Sequence, residues 1–183
     1  MSTGEARGIG LDPQFLKSLD PALVGAAASK LFAASVGDIV VVLSRSPVHK
    51  HYSLIDIEWM VLPAAAAGQF YVAEVAHKGS GFRGPIAVVT WAFVSEEVDQ
   101  RLENQAGGLF RLRPDEWKSG TIGWLIDAAG SPEGIKAALR WLGEGPFRDR
   151  ALKAAVRDAG GAARVGMLGE MMKRAAETKS AVG

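Results

Sequence analysis

Apolar side chains recur at Leu23, Ala27, Leu31 and Ala34, directly after Asp20-Pro21. That spacing lines one face of a helix. A short polar residue followed by proline supplies an N-cap and a first helical residue with preset φ. Asp12-Pro13, Ser46-Pro47 and Ser131-Pro132 repeat the form. The second of these predicts a helix over 47–62, ended by Pro63, which removes a donor and restrains the residue before it. Between them the β-branched run Ile39-Val40-Val41-Val42 reads locally as strand. Residues 69–76 and 85–94, rich in Val, Ile, Tyr, Phe and Trp, predict two strands joined by a Gly-rich hairpin loop over 78–84.

Ser95 caps a predicted helix to Leu102 with acids in its first turn, and another short helix opens at Pro114. Residues 123–128 form a third strand-like run, with Asp127 near its end. Ser131 then caps a helix carrying Ile135, Leu139 and Leu142 on one face. Residues 147–159 are amphipathic at helical period, with Arg148, Arg150, Lys153 and Arg157 on the polar side. Met167, Leu168, Met171 and Met172 make a last apolar helical edge, and 178–183 read as a disordered tail. The pattern predicts one α/β (α+β) domain over 21–177, a mixed sheet flanked by helices, behind an N-terminal arm of residues 1–20.

Composition narrows the chemistry. At 183 residues and 48% hydrophobic the chain can bury a substantial core. It has no cysteine, which excludes disulfides, thiolate metal sites and thiol nucleophiles. No signal-peptide pattern opens the chain, and Ser44, Arg45, Asp56 and Glu58 interrupt the best candidates for a membrane span. The expectation is a soluble, cytoplasmic protein without a membrane span. The net charge of +1 hides an asymmetry: residues 134–183 hold ten Lys or Arg against five Asp or Glu, and 51–133 hold six against eleven. A basic C-terminal third suits an acidic partner or phosphate, although a solvated helix face explains it as simply. No aromatic–basic interleaving, zinc-knuckle spacing or helix-turn-helix pattern points to nucleic acid.

Three histidines, His49, His51 and His77, make no metal-ligand pattern, and no Gly-x-Ser-x-Gly elbow is present. In the first turn of the expected helix, His49 meets the positive end of a helix dipole, which favours the neutral, proton-accepting imidazole. Surface or capping decoration is the blander reading. Asp127 follows Trp124-Leu125-Ile126, where a buried carboxylate needs a partner. It reads either as the orienter of a base, near a strand's C-terminal end, or as a cap for the turn at 130–133. Gly79-Ser80-Gly81 and Arg7-Gly8-Ile9-Gly10 open no helix and lack the basis of a phosphate cradle. Trp59, Trp91, Trp117, Trp124 and Trp141 suit a core or an apolar groove.

Ser46-Pro47-Val48-His49, continued by Val61-Leu62-Pro63, resembles the RTX toxin-activating lysine acyltransferases (the hemolysin C type). The likeness extends through Gln69-Phe70-Tyr71-Val72, Thr90-Trp91-Ala92, Glu116-Trp117-Lys118-Ser119-Gly120 and Trp124-Leu125-Ile126-Asp127, roughly residues 38–168. The resemblance implies a GNAT-related fold, a homodimer, and helix rather than strand at Ile39-Val42. It implies transfer of a fatty acyl chain from acyl carrier protein, with no bound cofactor, to an internal lysine of an RTX-type protoxin. Its catalytic histidine and aspartate fall on His49 and Asp127, the histidine as base or transient acyl acceptor and the aspartate orienting it.

The chain departs from the family at Met60, where an Asn is usual, and over 128–134, which lacks the family's aromatic residues. Two other readings compete. One is a GNAT-like enzyme using acyl-CoA on a small amine, which binding of acyl-CoA but not of acyl carrier protein would favour. The other is a non-catalytic toxin-binding module.

Overall fold

Strand β2, Arg83–Val94, organises the computed structural model, which describes residues 20–76, 79–105, 108, 110–157 and 162–170. Its alternation sends Val89, Trp91 and Phe93 to one face of a sheet, and Val88, Ala92 and Val94 to the other. On one side it pairs antiparallel with β1, Phe70–Ala76, and on the other with β3, Ile122–Gly130. Helix α5, Pro132–Glu144, crosses to β4, Leu152–Arg157, which lies parallel to β3 as such a connection requires. Strand β5, Ala163–Met167, closes the order β1-β2-β3-β4-β5 by antiparallel pairing with β4.

The five-stranded mixed sheet flanked by helices is the expected fold class, related to the GNAT acyltransferases. Under one face, Ala138 and Leu142 of α5 pack with Val89, Trp91, Phe147, Leu152 and Ala154. The other face is covered by residues 35–45 of helix α1, Pro21–Arg45, by α2, Asp56–Met60, and α3, Leu62–Ala67, and by α4, Glu96–Asn104, with the 3-10 turn Pro114–Trp117. Gly130 joins β3 to α5 at φ 115°, where a side chain would run into the Ile86 carbonyl.

The chain divides into two units at Ala34/Ser35. In the first, described from Asp20, helix α1 exposes Leu23, Val24, Leu31 and Phe32. In the second, its continuation buries Ile39, Val42 and Leu43 against Val88 and Ala129. Their i, i+3, i+4 spacing overrides the local strand propensity of the run, and the helix expected from the resemblance is found.

Four expectations need correction. Residues 47–62 are not one helix: a turn over 46–51 precedes α2 and α3, and Pro63 opens α3 instead of ending a helix, a first-turn position that suits its missing N–H. Residues 147–159 are not a helix either. Residues 145–149 are a turn, and β4 alternates Leu152 and Ala154 to the α5 face with Lys153 and Ala155 to the other. Pairing with β5 satisfies its backbone, so a six-residue stretch compatible with both periods goes to the sheet. The last apolar edge is split, since Met167 ends β5 and residues 168–170 turn helical, while Met171 and Met172 lie outside the described residues. Finally, α1 is long and apolar enough to cross a membrane by length and composition, because Ser44 and Arg45 stand at its end and do not interrupt it. The arm residues 1–19, His77 and the tail 178–183 lie outside the described residues.

Candidate active site

Helix α1 ends at Arg45, and the chain turns on Ser46. The Ser46 carbonyl accepts from the backbone N–H groups of His49, at 3.2 Å, and Lys50, at 2.9 Å. An N-cap hydroxyl would bond the N–H three residues on. Ser46 Oγ turns instead to the His49 ring, 2.7 Å from Nδ1. Diverting that hydroxyl leaves the expected helix without its cap. His49 therefore sits in a turn, and the helix-dipole argument for its neutral form has no helix to rest on.

Asp127 reaches His49 from the sheet. Thr90 pairs with Asp127 but Trp91 pairs with Leu125, so Ile126 is an extra residue in β3. Strict alternation would place Asp127 with Leu125 on the α5 face. The bulge turns the strand by one residue, so that Leu125 and Ala128 pack on the α5 side, while Ile126 and Ala129 face the α1–α3 side. Asp127 is carried to the latter. Its Oδ2 lies 3.0 Å from His49 Nε2, and its Oδ1 accepts from the Ala128 N–H at 2.8 Å. The capping role weighed for Asp127 belongs to Ser131, which accepts from the Gly134 N–H at 3.1 Å.

The pair is unevenly exposed: the His49 side chain keeps 8% of its surface and that of Asp127 26%. With Asp127 ionised, Nε2 carries the proton facing the carboxylate, and Nδ1 accepts from the Ser46 hydroxyl. Both ring nitrogens are engaged, and the imidazole is fixed in one orientation. Tyr52, three residues on, meets the His49 ring edge-on at 5.5 Å. Burial, and then the charges of Asp127 and Asp56, raise its hydroxyl above the ordinary tyrosine range, so it is a donor and not a base at neutral pH.

Ser46 and Tyr52 are the site members that sequence reasoning missed. Ser46 stood in the quoted motif but was weighed as a cap, and the signal for Tyr52 was its i+3 spacing from His49. His51 is exposed in the turn. Among the described residues no group of three or more His, Asp or Glu stands close enough to hold a metal ion. Four of the five tryptophans are buried or half-buried, while Trp141, 40% exposed, stacks on Tyr71 at 4.4 Å between ring centroids.

The basic cluster expected on one helix is dispersed. Arg148 and Arg150 lie in the loop before β4, and Lys153 is bonded to Asp99 and Glu103 at 2.8 Å each. Lys153 is thus engaged within the fold, and the four residues do not share one helix face.

Sheet order, crossover helix and the partly buried histidine–carboxylate pair define a class: a mixed-sheet α/β fold of the GNAT-related acyltransferase kind, with an imidazole held between a hydroxyl and a carboxylate. The RTX toxin acyltransferase family model matches residues 29–167, and the chain belongs to that family. It is 33% identical over 87 residues to "Lysine-acyltransferase RtxC" of Vibrio cholerae serotype O1, covering 46% of this chain and 50% of that protein. It is 31% identical over 104 residues to "RTX-I toxin-activating lysine-acyltransferase ApxIC" of Actinobacillus pleuropneumoniae, covering 57% and 55%. The chain spans about half the length of these curated relatives.

Proposed function

We propose that this protein is a cytoplasmic protein-lysine acyltransferase, which moves a fatty acyl group from acyl carrier protein to an internal lysine of an RTX-type protoxin. The observation that carries the reading is the 3.0 Å contact between His49 and Asp127 in a chain of this family. A lysine ammonium, with pKa near ~10.4, must lose a proton before it attacks. Asp127, the more open member of the pair, is the group that an ammonium meets first. The ammonium releases its first proton to water, and as the amine nitrogen bonds to the thioester carbonyl carbon the Ser46 hydroxyl gives way and His49 Nδ1 accepts a second proton from that nitrogen. Collapse of the tetrahedral intermediate breaks the C–S bond, and the departing thiolate takes the proton back from the imidazolium. Asp127 stabilises that imidazolium throughout.

We assign the donor arm a seat beside β3. Among the described residues β3 and β4 pair only at Gly123↔Leu152 and Trp124↔Lys153. Past that point the β4-facing backbone of 125–130 stands outside the ladder, open to the amides of a pantetheine arm. For the homodimer, the exposed Leu23, Leu31 and Phe32 of α1 offer an apolar surface to a second copy. The test is to incubate the protein and an RTX-type protoxin with acyl groups loaded either on acyl carrier protein or on coenzyme A. Mass spectrometry should find the acyl mass on an internal lysine with the carrier-protein donor. Modification from coenzyme A alone contradicts the donor, and none from either contradicts the reaction.

A further inference from the structure

A cavity of ≈ 120 Å³ lies beside His49, between the C-terminal half of α1 and helix α2. Val40, Leu43, Leu54, Ile57 and Met60 give it apolar walls, with His49 and Tyr52 at one edge. Several of its polar members already have partners. Ser44 Oγ donates to the Val41 carbonyl at 2.9 Å. The Asp56 carboxylate accepts from Ser53 N–H at 2.8 Å, Ser53 Oγ at 2.9 Å and Trp59 Nε1 at 3.1 Å. What the walls offer a ligand is mainly apolar contact, with the imidazole at the edge.

Resting on the acyltransferase reading above, we propose that this cavity seats the acyl chain of the donor thioester and selects chains of medium length. A charged lysine arm gains little from such walls. Its counter-charge, Asp127, keeps part of its side chain exposed to solvent, and also lines a separate cavity of ≈ 30 Å³ whose other walls, Trp59, Met60, Phe110, Trp117 and Ile126, are apolar. Met60 belongs to both linings and is the partition between them. Two substrates of opposite character thus meet different members of the pair: the apolar chain at His49, along α1 and α2, and the amine at Asp127. A water-sized group needs ~10–15 Å³ on the same measure, so the larger cavity holds roughly eight to twelve such groups. A chain of about eight carbons fits within that range, and one of about fourteen exceeds it.

The test is calorimetric titration of the intact protein with S-acetyl-, S-octanoyl- and S-tetradecanoyl-pantetheine, each below its micelle concentration. Burying six more methylenes should tighten octanoyl over acetyl by at least ~100-fold, with threefold or less gained on going to tetradecanoyl. Val40→Phe, which fills the cavity, should cut the octanoyl-to-acetyl ratio by ~10-fold or more. Met60→Ala, which opens the partition, should raise the tetradecanoyl-to-octanoyl ratio by ~10-fold, a gain that misfolding does not produce. Circular dichroism checks both variants. Thioester binding whose chain-length dependence is unmoved by Met60→Ala overturns the pocket and leaves the acyl-transfer reading standing. Failure of the wild-type protein to bind any of the three thioesters overturns the donor reading and the pocket with it.

Discussion

Both oxygens of Asp127 are committed, one to the Ala128 amide and the other to the His49 ring. Asparagine keeps the shape but cannot stabilise an imidazolium. If the amide nitrogen faces Nε2, it also forces the other tautomer. Asp127→Asn should therefore lower turnover by ~10²- to 10⁴-fold. Ser46→Ala removes an orienting donor and no charge, and should cost about tenfold, mainly in kcat. Initial rates of lysine acylation measured side by side check the order of the two effects. A Ser46→Ala loss as large as that of Asp127→Asn contradicts the assigned roles. That His49 and Asp127 would meet was legible in the sequence, because the motifs around them are specific. Ser46's second job was not, since a serine before a proline reads as a helix cap. The bulge at Ile126 was not legible either, because nothing in Trp124-Leu125-Ile126-Asp127 marks which residue falls out of register.

At the scale of elements, the 3-10 turn Pro114–Trp117 is tied to α4 through Glu116, 2% exposed. Arg101 of α4 donates to both of its oxygens, at 3.0 and 2.6 Å, and Arg113 adds a third contact at 3.0 Å. Burial alone would raise the Glu116 carboxyl, but the bonds from Arg101 and Arg113 outweigh it and hold the group below its ordinary range. A lowered folded-state value stabilises above the unfolded value of ~4.3, and that stability is lost as pH falls through the folded value.

Glu116→Gln should accordingly destabilise by about 2 kcal/mol at pH 7, less than for a fully buried pair because both arginines are partly exposed. The gap to the wild type should narrow as pH drops below ~4. Denaturant titrations at pH 7 and pH 3 measure it, and a gap that is constant with pH contradicts the assignment. Elements with a cap and a clean period were readable in the sequence, as with Ser95 before α4 and Ser131 before α5. The stretch at 147–159 was misread because Leu152, Ala155 and Val156 satisfy helical spacing, while Leu152 and Ala154 satisfy the strand period that β5 selects.

For the whole molecule, two packed layers meet at the site: α1 delivers the turn bearing His49 from outside the sheet, and β3 delivers Asp127 from within it. Fold class followed from the alternation of periods along the chain. The order of strands did not, because a parallel β3–β4 contact of two residue pairs leaves almost no trace in the sequence. Helix α1 also shows where local reading falls short, since its apolar length is the same whether a sheet, a second copy or a bilayer covers it. The central claim is that the layers converge to make a base out of His49. Its most direct test is His49→Ala, assayed by mass spectrometry of acylated lysine in an RTX-type protoxin, with circular dichroism and a thermal melt of the same preparation. The account predicts a folded variant with acyl transfer reduced to background. A folded variant that acylates at the wild-type rate would contradict it.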